Sequence, residues 1–388
     1  MESADRCLSL PVEEKTGMAN KENFEVYDPA RGCYVQNWTN TQQQQFGNPY
    51  WMLNRQTPIT DRNRYEFGGS IKWDITPDLN IQGRMRYERG EEHWVHNAYA
   101  SSVGNLYPMG RMKDNRYFSD QLYGDVLVSY NHTFNDFSLS ATAGSSFTKT
   151  KTSHVDLWGE GSQFSQPGSG NIFYPNIFTP NNYYGNMSTV GKDDNWMTQK
   201  RLNSVFATAQ LGYREGIFLD ISARNDWSST LANTESMKNG FFYPSVGLTW
   251  IMSNSVKLPE WINFSKFRGS FAQVGNDLPI GITNLADIIQ CGGSIQTNDI
   301  EQRGDLKPEI STSIEFGTEW KFFNNRFGID FTWYRTDTKN QLLKVANPAG
   351  SLYAFRYINA GKIRNTGIEL TVEGTPLMNE NFRWKTAV

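Results

Sequence analysis

Twelve segments of this chain alternate apolar and polar residues with a period of two, and the links joining them alternate short and long. That sorting of the links constrains the fold more than any other feature. The segments pair as 71–74 with 79–87, 122–130 with 137–144, 204–213 with 217–224, 242–251 with 267–274, 314–322 with 327–334, and 368–372 with 382–386. Within pairs the links are short. Between pairs run 90–118, 151–196, 227–240 and 275–310, rich in Gly, Asn, Ser, Pro and aromatics. Successive links of an antiparallel meander lie at opposite ends, so the short links gather at one end and the long ones at the other. Greek-key crossings in a sandwich give no reason for such sorting. A closed membrane barrel does, with short turns on one side and long loops on the other. Loops of that length without helical period also count against a compact soluble domain.

The faces agree. In "FFNNRFGIDFTWYRTDT", Phe327, Ile329, Phe331 and Trp333 oppose Gly328, Asp330, Thr332 and Tyr334. Upstream, Ile314, Phe316, Thr318, Trp320 and Phe322 oppose Glu315, Gly317, Glu319 and Lys321, and Asn324-Asn325 tolerate the positive φ of a tight hairpin turn. Segment 217–224 sets Ile217, Leu219, Ile221 and Ala223 against Phe218, Asp220, Ser222 and Arg224. The expected class is all-β: an antiparallel transmembrane β-barrel wall, partial, of about a dozen strands. Leu219, Ile221, Ile329, Phe331 and Trp333 are expected to face lipid, and Asp220, Arg224, Glu315 and Asp330 the lumen. Tyr130, Tyr213, Trp320, Phe322 and Phe327 stand at strand ends beside short links, where an aromatic girdle belongs. A sheet with one solvated face alternates in the same way, so a soluble, secreted glycan-binding β protein stands as the rival.

Composition narrows the classes. The 388 residues are 14% aromatic, yet mean hydropathy is −0.59, too polar for a large aliphatic core. A net charge of −3 leaves no basic footprint for nucleic acid. The chain has no apolar run long enough for a transmembrane helix. Cys7, Cys33 and Cys291 suit neither a disulfide scaffold nor a zinc site.

"LKPEISTSIEFGTEWKFFNNRFGIDFTWYRTDT" (306–338) resembles the SusC/RagA family of TonB-linked outer-membrane proteins. "RNDWSSTL" (224–231), "FFYPSVGLTW" (241–250), "FRGSFAQVGND" (267–277) and "IRNTGIEL" (363–370) fit the same family in the same order. The resemblance runs from about residue 48 to the C-terminus. It implies a large closed barrel with a plug inside it, residence in the outer membrane, and a SusD-like surface lipoprotein as lid. It further implies TonB energy delivered through the plug, and import of oligosaccharides or peptides. The sequence departs from the family in having no signal peptide, plug or barrel end. The expectation is therefore an internal piece: 1–47 a loop-rich segment forming an extracellular loop, and 48–388 partial barrel, not transport-competent alone.

Nothing in the sequence supports catalysis or a cofactor. "EEHWVHN" brings His93 and His96 near two carboxylates, but HxxH on an extended segment does not aim both rings at one ion. "KDDN" (192–195) lacks EF-hand spacing, and "PGSGN" (167–171) lacks a phosphate-loop pattern. "NDWSST" has no His nearby to activate a serine. The candidates for substrate contact are aromatics in the long links: Trp94, Tyr99, Trp158, Tyr183, Tyr184 and Trp196. Two uses stay open for them, ring faces for sugars or peptides or packing of the loops.

Overall fold

The computed structural model describes residues 22–38, 47–102, 108–160, 173–185, 189–191, 196–283, 288–289, 295–296, 299–301 and 303–388. Twelve strands form its main sheet: β1 Gln56–Asp74, β2 Leu79–Ala98, β3 Arg111–Phe134, β4 Phe137–Glu160, β5 Trp196–Tyr213, β6 Ile217–Ser228, β7 Phe241–Ile251, β8 Ile262–Asn276, β9 Glu309–Phe322, β10 Phe327–Lys339, β11 Lys362–Met378 and β12 Arg383–Ala387. Each neighbours the next in sequence, from β1 at one end of the path to β12 at the other, and Thr189–Gly191 adds a short strand beside β4. This is the meander of a partial antiparallel β-barrel. Among the described residues, no helix is long and apolar enough to cross a membrane.

The chain divides into two compact units. One comprises Met1–Glu66, Glu88–Asp120 and Lys151–Thr198; the other comprises Phe67–Tyr87, Gln121–Thr150 and Gln199–Val388. In the second unit the apolar alternation becomes continuous rows. Ile221 stands opposite Val246, Val246 opposite Phe271, and Phe271 opposite Ile314. Leu219 lies between Leu211 and Leu248, and Trp333 between Phe316 and Ile368. These rows lack a covering layer: Ile368 is 68% exposed and Leu370 57%. The other face is laced with ion pairs and hydroxyls. Lys266 and Lys321 share Glu319 at 2.6 and 3.2 Å, and Arg268 reaches Asp330 at 2.9 Å and Thr332 at 2.5 Å. Ser222 and Ser245 lie 2.6 Å apart. In this unit the sheet is greasy on one side and ionic on the other, and among the described residues no second layer covers the apolar rows.

The short turns need left-handed backbone, and the residues suited to it are present. Asn324 and Asn325 adopt φ of 55° and 61°, preceded by Phe323 at 53°. Asn135 does the same in the β3–β4 turn, and Arg214 and Glu215 in the β5–β6 turn. Aromatic rings gather beside these turns: Trp261 on Phe322 at 5.7 Å, Trp320 on Phe322 at 6.1 Å, and Phe137 on Tyr213 at 4.8 Å.

The structure corrects the expected lengths of the first strands. β1 begins at Gln56 rather than 71, β2 runs on to Ala98, and β3 and β4 cover 111–134 and 137–160. Much of the link expected at 90–118, and the start of the one at 151–196, is therefore strand. In β1, Tyr65 and Phe67 continue the row of Ile71 and Trp73, whereas the extensions of β2 to β4 carry polar residues on both faces, so apolar alternation does not reveal them. Cross-strand charge pairs mark them instead: Arg62 with Glu92 at 2.7 Å, His93 with Asp114 at 3.1 Å and Lys113 with Asp156 at 3.0 Å. Within 1–47, Glu25–Asp28 and Cys33–Gln36 form a small hairpin, and Pro49–Arg55 is a helix capped by the Asn48 side chain.

Candidate functional site

In the first unit, strand extensions from β2, β3 and β4 line a cleft of about 450 Å³. Its walls are Glu92, Trp94, Lys113, Asn115, Tyr117 and His154. The alternation that hides these residues from a hydropathy reading also assembles them: Lys113, Asn115 and Tyr117 are every second residue of β3, and so share a face. The Lys113 ammonium sits 5.8 Å from the Trp94 ring centre while paired with Asp156. The Asn115 Oδ1 is buried without a hydrogen-bond partner, an acceptor that a bound donor or a water must satisfy. Two aromatic rings, a cation, two acceptors and an imidazole in one recess suit an amphipathic, hydrogen-bonding ligand.

Of the six aromatics expected at substrate, Trp94 lines this cleft. Trp158 lies on strand β4 with the Arg111 guanidinium 4.8 Å above its ring. Tyr99 and Tyr183 are used otherwise. Tyr99 meets Phe178 edge-on at 4.8 Å, and Phe178 stacks on Tyr183 at 5.2 Å. Tyr183 also meets Phe173 and is fully buried. Burial pushes the Tyr183 phenol well above its ordinary range. These two rings form the interior of a small aromatic cluster, with Trp51 nearby, its indole N–H donating to Ser102 Oγ. Tyr184 lies in the short helix Pro180–Gly185 and Trp196 opens β5; their side chains lie outside the described ones. Tyr117 and Asn115 escaped the sequence reading, and their signal was the i, i+2 spacing with Lys113.

His93 and His96 are three residues apart on one strand, so their rings leave opposite faces. His93 pairs with Asp114, and His96 tilts against Trp94 at 5.4 Å. Among the described residues no cluster of three or more His, Cys, Asp or Glu could hold a metal. Residues 192–195 and 167–171 lie outside the described residues.

In the second unit the sequence motifs converge. Arg224 bonds Asp226 at 2.8 Å and Ser204 at 2.8 Å, and the Tyr243 hydroxyl donates to Asp226 at 2.5 Å. Ser228 donates to Asp277 at 2.5 Å, where Lys200 also pairs at 2.7 Å. Leu231, Phe241, Leu278, Ile282 and Leu306 close over this as one apolar knot. "RNDWSSTL", "FFYPSVGLTW", "FRGSFAQVGND" and the start of "LKPE" thus each contribute a residue to one fastening of the links at the end away from the short turns. The serines of "NDWSST" hold a loop. Asp220, Glu315 and Asp330 share the ionic face with Arg224; Leu219, Ile221, Ile329, Phe331 and Trp333 share the opposite one.

A family model described as TonB dependent receptor-like, beta-barrel matches residues 16–388. TonB-dependent receptor P3 of Formosa agariphila is 26% identical over 269 residues, 67% of this chain and 25% of that protein. TonB-dependent receptor P26 of the same organism is 23% identical over 373 residues, 88% of this chain and 34% of its own length. The chain spans a quarter to a third of the curated relatives it matches. Among solved structures, the RagAB peptide importer in its open-open state superposes with a TM-score of 0.73 at 16% identity, covering 94% of this chain and 38% of that one. A second structure of the RagAB peptide transporter gives 0.70 at 17%, covering 92% and 38%. At such identities the likeness is one of fold.

Proposed function

The chain belongs to the TonB-dependent receptor-like β-barrel family, and from that premise we propose that it forms part of the wall and rim of an outer-membrane importer. The observation that carries the reading is the two-faced sheet. One face exposes apolar rows whose solvation by water would be prohibitive over so wide an area; the other holds charges in pairs, as a polar lumen does. Leu219, Ile221, Ile329, Phe331 and Trp333 then face hydrocarbon, and Asp220, Arg224, Glu315 and Asp330 face the lumen. The short turns point to the periplasm and the fastened links to the exterior.

Oligosaccharides or peptides are the substrates, and the cleft of Trp94, Lys113, Asn115 and Tyr117 is their contact at the rim. The likeness in fold to a peptide importer supports this substrate class. A SusD-like surface lipoprotein serves as lid. Energy comes from the TonB system through a plug in the full-length receptor. The role is binding and passage, with no bond made or broken.

Spin labels test the wall. In the full-length receptor reconstituted in bilayers, nitroxides at Leu219 and Ile329 are expected to be broadened by oxygen and shielded from an aqueous nickel chelate, with the reverse at Asp220 and Glu315. Equal access to nickel at all four positions would overturn the reading. For the rim, Trp94→Ala and Tyr117→Ala are expected to weaken binding of a peptide or oligosaccharide ligand by roughly tenfold each, the loss of about one stacking contact.

A further inference from the structure

The apolar face of β10 and β11 ends in a cluster of charged side chains. Arg335 donates to Asp337 at 3.0 Å through Nε and lies 2.8 Å from it through a terminal nitrogen; Arg364, directly opposite Asp337, donates to its other oxygen at 2.6 Å. Lys362 stands 3.9 Å from the same carboxylate. Lys339 is in register with Lys362. Three cations therefore meet one carboxylate, and Lys339 adds a fourth positive charge on the same face. On the ionic face of β8 to β10 charges are matched: Arg268 lies between Asp330 and Glu315, and Glu319 takes Lys266 and Lys321. Two lysines directly opposite each other are unfavourable in a sheet, unless an anion joins them.

We infer that Arg335, Arg364, Lys362 and Lys339 form a binding site for the phosphate of an outer-leaflet lipid headgroup. Asp337 occupies only part of the two guanidinium forks. Arg carries five N–H donors, and Arg364 uses one on Asp337. Both guanidinium groups and the Lys362 ammonium are partly exposed, at 37%, 49% and 47%. Asp337 itself is 16% exposed and holds the two forks side by side, which suits bidentate phosphate recognition.

The occupant follows from the next residues along the strands. Two residues from Arg335 is Trp333, two further is Phe331, and opposite them are Ile368 and Leu370. Charge gives way to the pair Trp333 and Ile368 and then to Phe331 and Leu370 in steps of about 7 Å, a passage from charged headgroup level to interface and hydrocarbon. The cluster lies at the end of β10 away from the Asn324-Asn325 turn. The inference rests on the wall reading above.

The test uses the full-length receptor in detergent micelles, titrated with dioleoyl phosphatidic acid and read by native mass spectrometry. Dioleoylglycerol, the same chains without phosphate, is the control. Phosphatidic acid is expected to be retained at least about tenfold more tightly than dioleoylglycerol. Arg335→Gln with Arg364→Gln is expected to abolish the preference. Lys339→Gln with Lys362→Gln leaves Asp337 paired with both arginines and is expected to reduce it severalfold in a protein that still folds. Arg214→Gln, at a short turn, leaves it unchanged. Equal retention of the two lipids, or a preference surviving both double variants, overturns the inference. Displacement of phosphatidic acid by millimolar inorganic phosphate overturns the lipid as the source. A nitroxide at Leu370 separates the two failures: aqueous access there sinks the wall reading, whereas a lipid-shielded label with no phosphate preference sinks the headgroup site alone.

Discussion

At the scale of single residues, the two faces make opposite demands on the same substitution. Ile329 sits on the apolar face between Phe327 and Trp333, so Ile329→Arg is expected to cost about 2–4 kcal/mol in the full-length receptor if it lies near the bilayer midplane. Thr332 makes a poor comparison on the ionic face, because it is covered by Arg268 at 2.5 Å. Ser270 is exposed and stands opposite Glu315, so Ser270→Arg gains an opposite-charge neighbour and is expected to cost little. Heat-modifiability on a gel ranks the two variants, and equal loss would contradict a two-faced wall. Cys33 carries a pH prediction. Burial raises its thiol pKa, Arg31 pulls it down, and Asp28 adds to the rise. The folded-state value therefore exceeds the unfolded one. The stabilising contribution is complete below the ordinary thiol range and is lost as pH climbs through the folded value. In a Cys7→Ser/Cys291→Ser background, the alkylation rate of Cys33 is expected to rise at higher pH than that of a free cysteine. An inflection at or below the ordinary thiol value would show that the hairpin leaves Cys33 open.

At the scale of elements, turns and strand ends do different work. The β9–β10 turn places three consecutive residues in the left-handed region, two of them asparagine. Asn325→Val puts a β-branched side chain there and is expected to cost about 1–2 kcal/mol, whereas Asn325→Gly is expected to be neutral or slightly stabilising. Thermal denaturation of the full-length receptor measures both, and a harmless valine would mean that the turn has another backbone. If the short turns are periplasmic, an epitope tag at Asn324-Asn325 stays hidden on intact cells, and a tag within 276–309 is labelled. The strand extensions of the first unit depend on charge pairs, which are worth little singly when exposed. Their hydrogen exchange is therefore expected to outpace that of the apolar rows and to quicken with salt.

At the scale of the whole molecule, the sheet path has two ends. Among the described residues, β1 and β12 each pair on one side only. Unpaired strand edges are not tolerated in hydrocarbon, and beside an exposed apolar face they template edge-to-edge association. The 388-residue polypeptide expressed alone with an added secretion signal is expected to aggregate rather than to insert as a stable barrel. A monomeric, membrane-embedded, heat-modifiable band that passes solute would show that these strands close on themselves.

The sequence by itself determined the meander, the two faces and the position of the tight turns. All three follow from local rules: a period of two sends neighbours to opposite faces, and only certain residues accept positive φ. Leu219 and Ile329 could be assigned a face in advance because they lie in clean alternation. The length of β2 to β4 could not be read, since a strand polar on both faces leaves no hydropathy trace. Tertiary structure alone decided how the aromatics are used, sending Tyr183 into a packed interior and Trp94 to a cleft wall. It also brought Asp277 to Ser228 and Arg364 to Asp337, because cross-strand register pairs residues far apart in the chain, and register is a property of the assembled sheet.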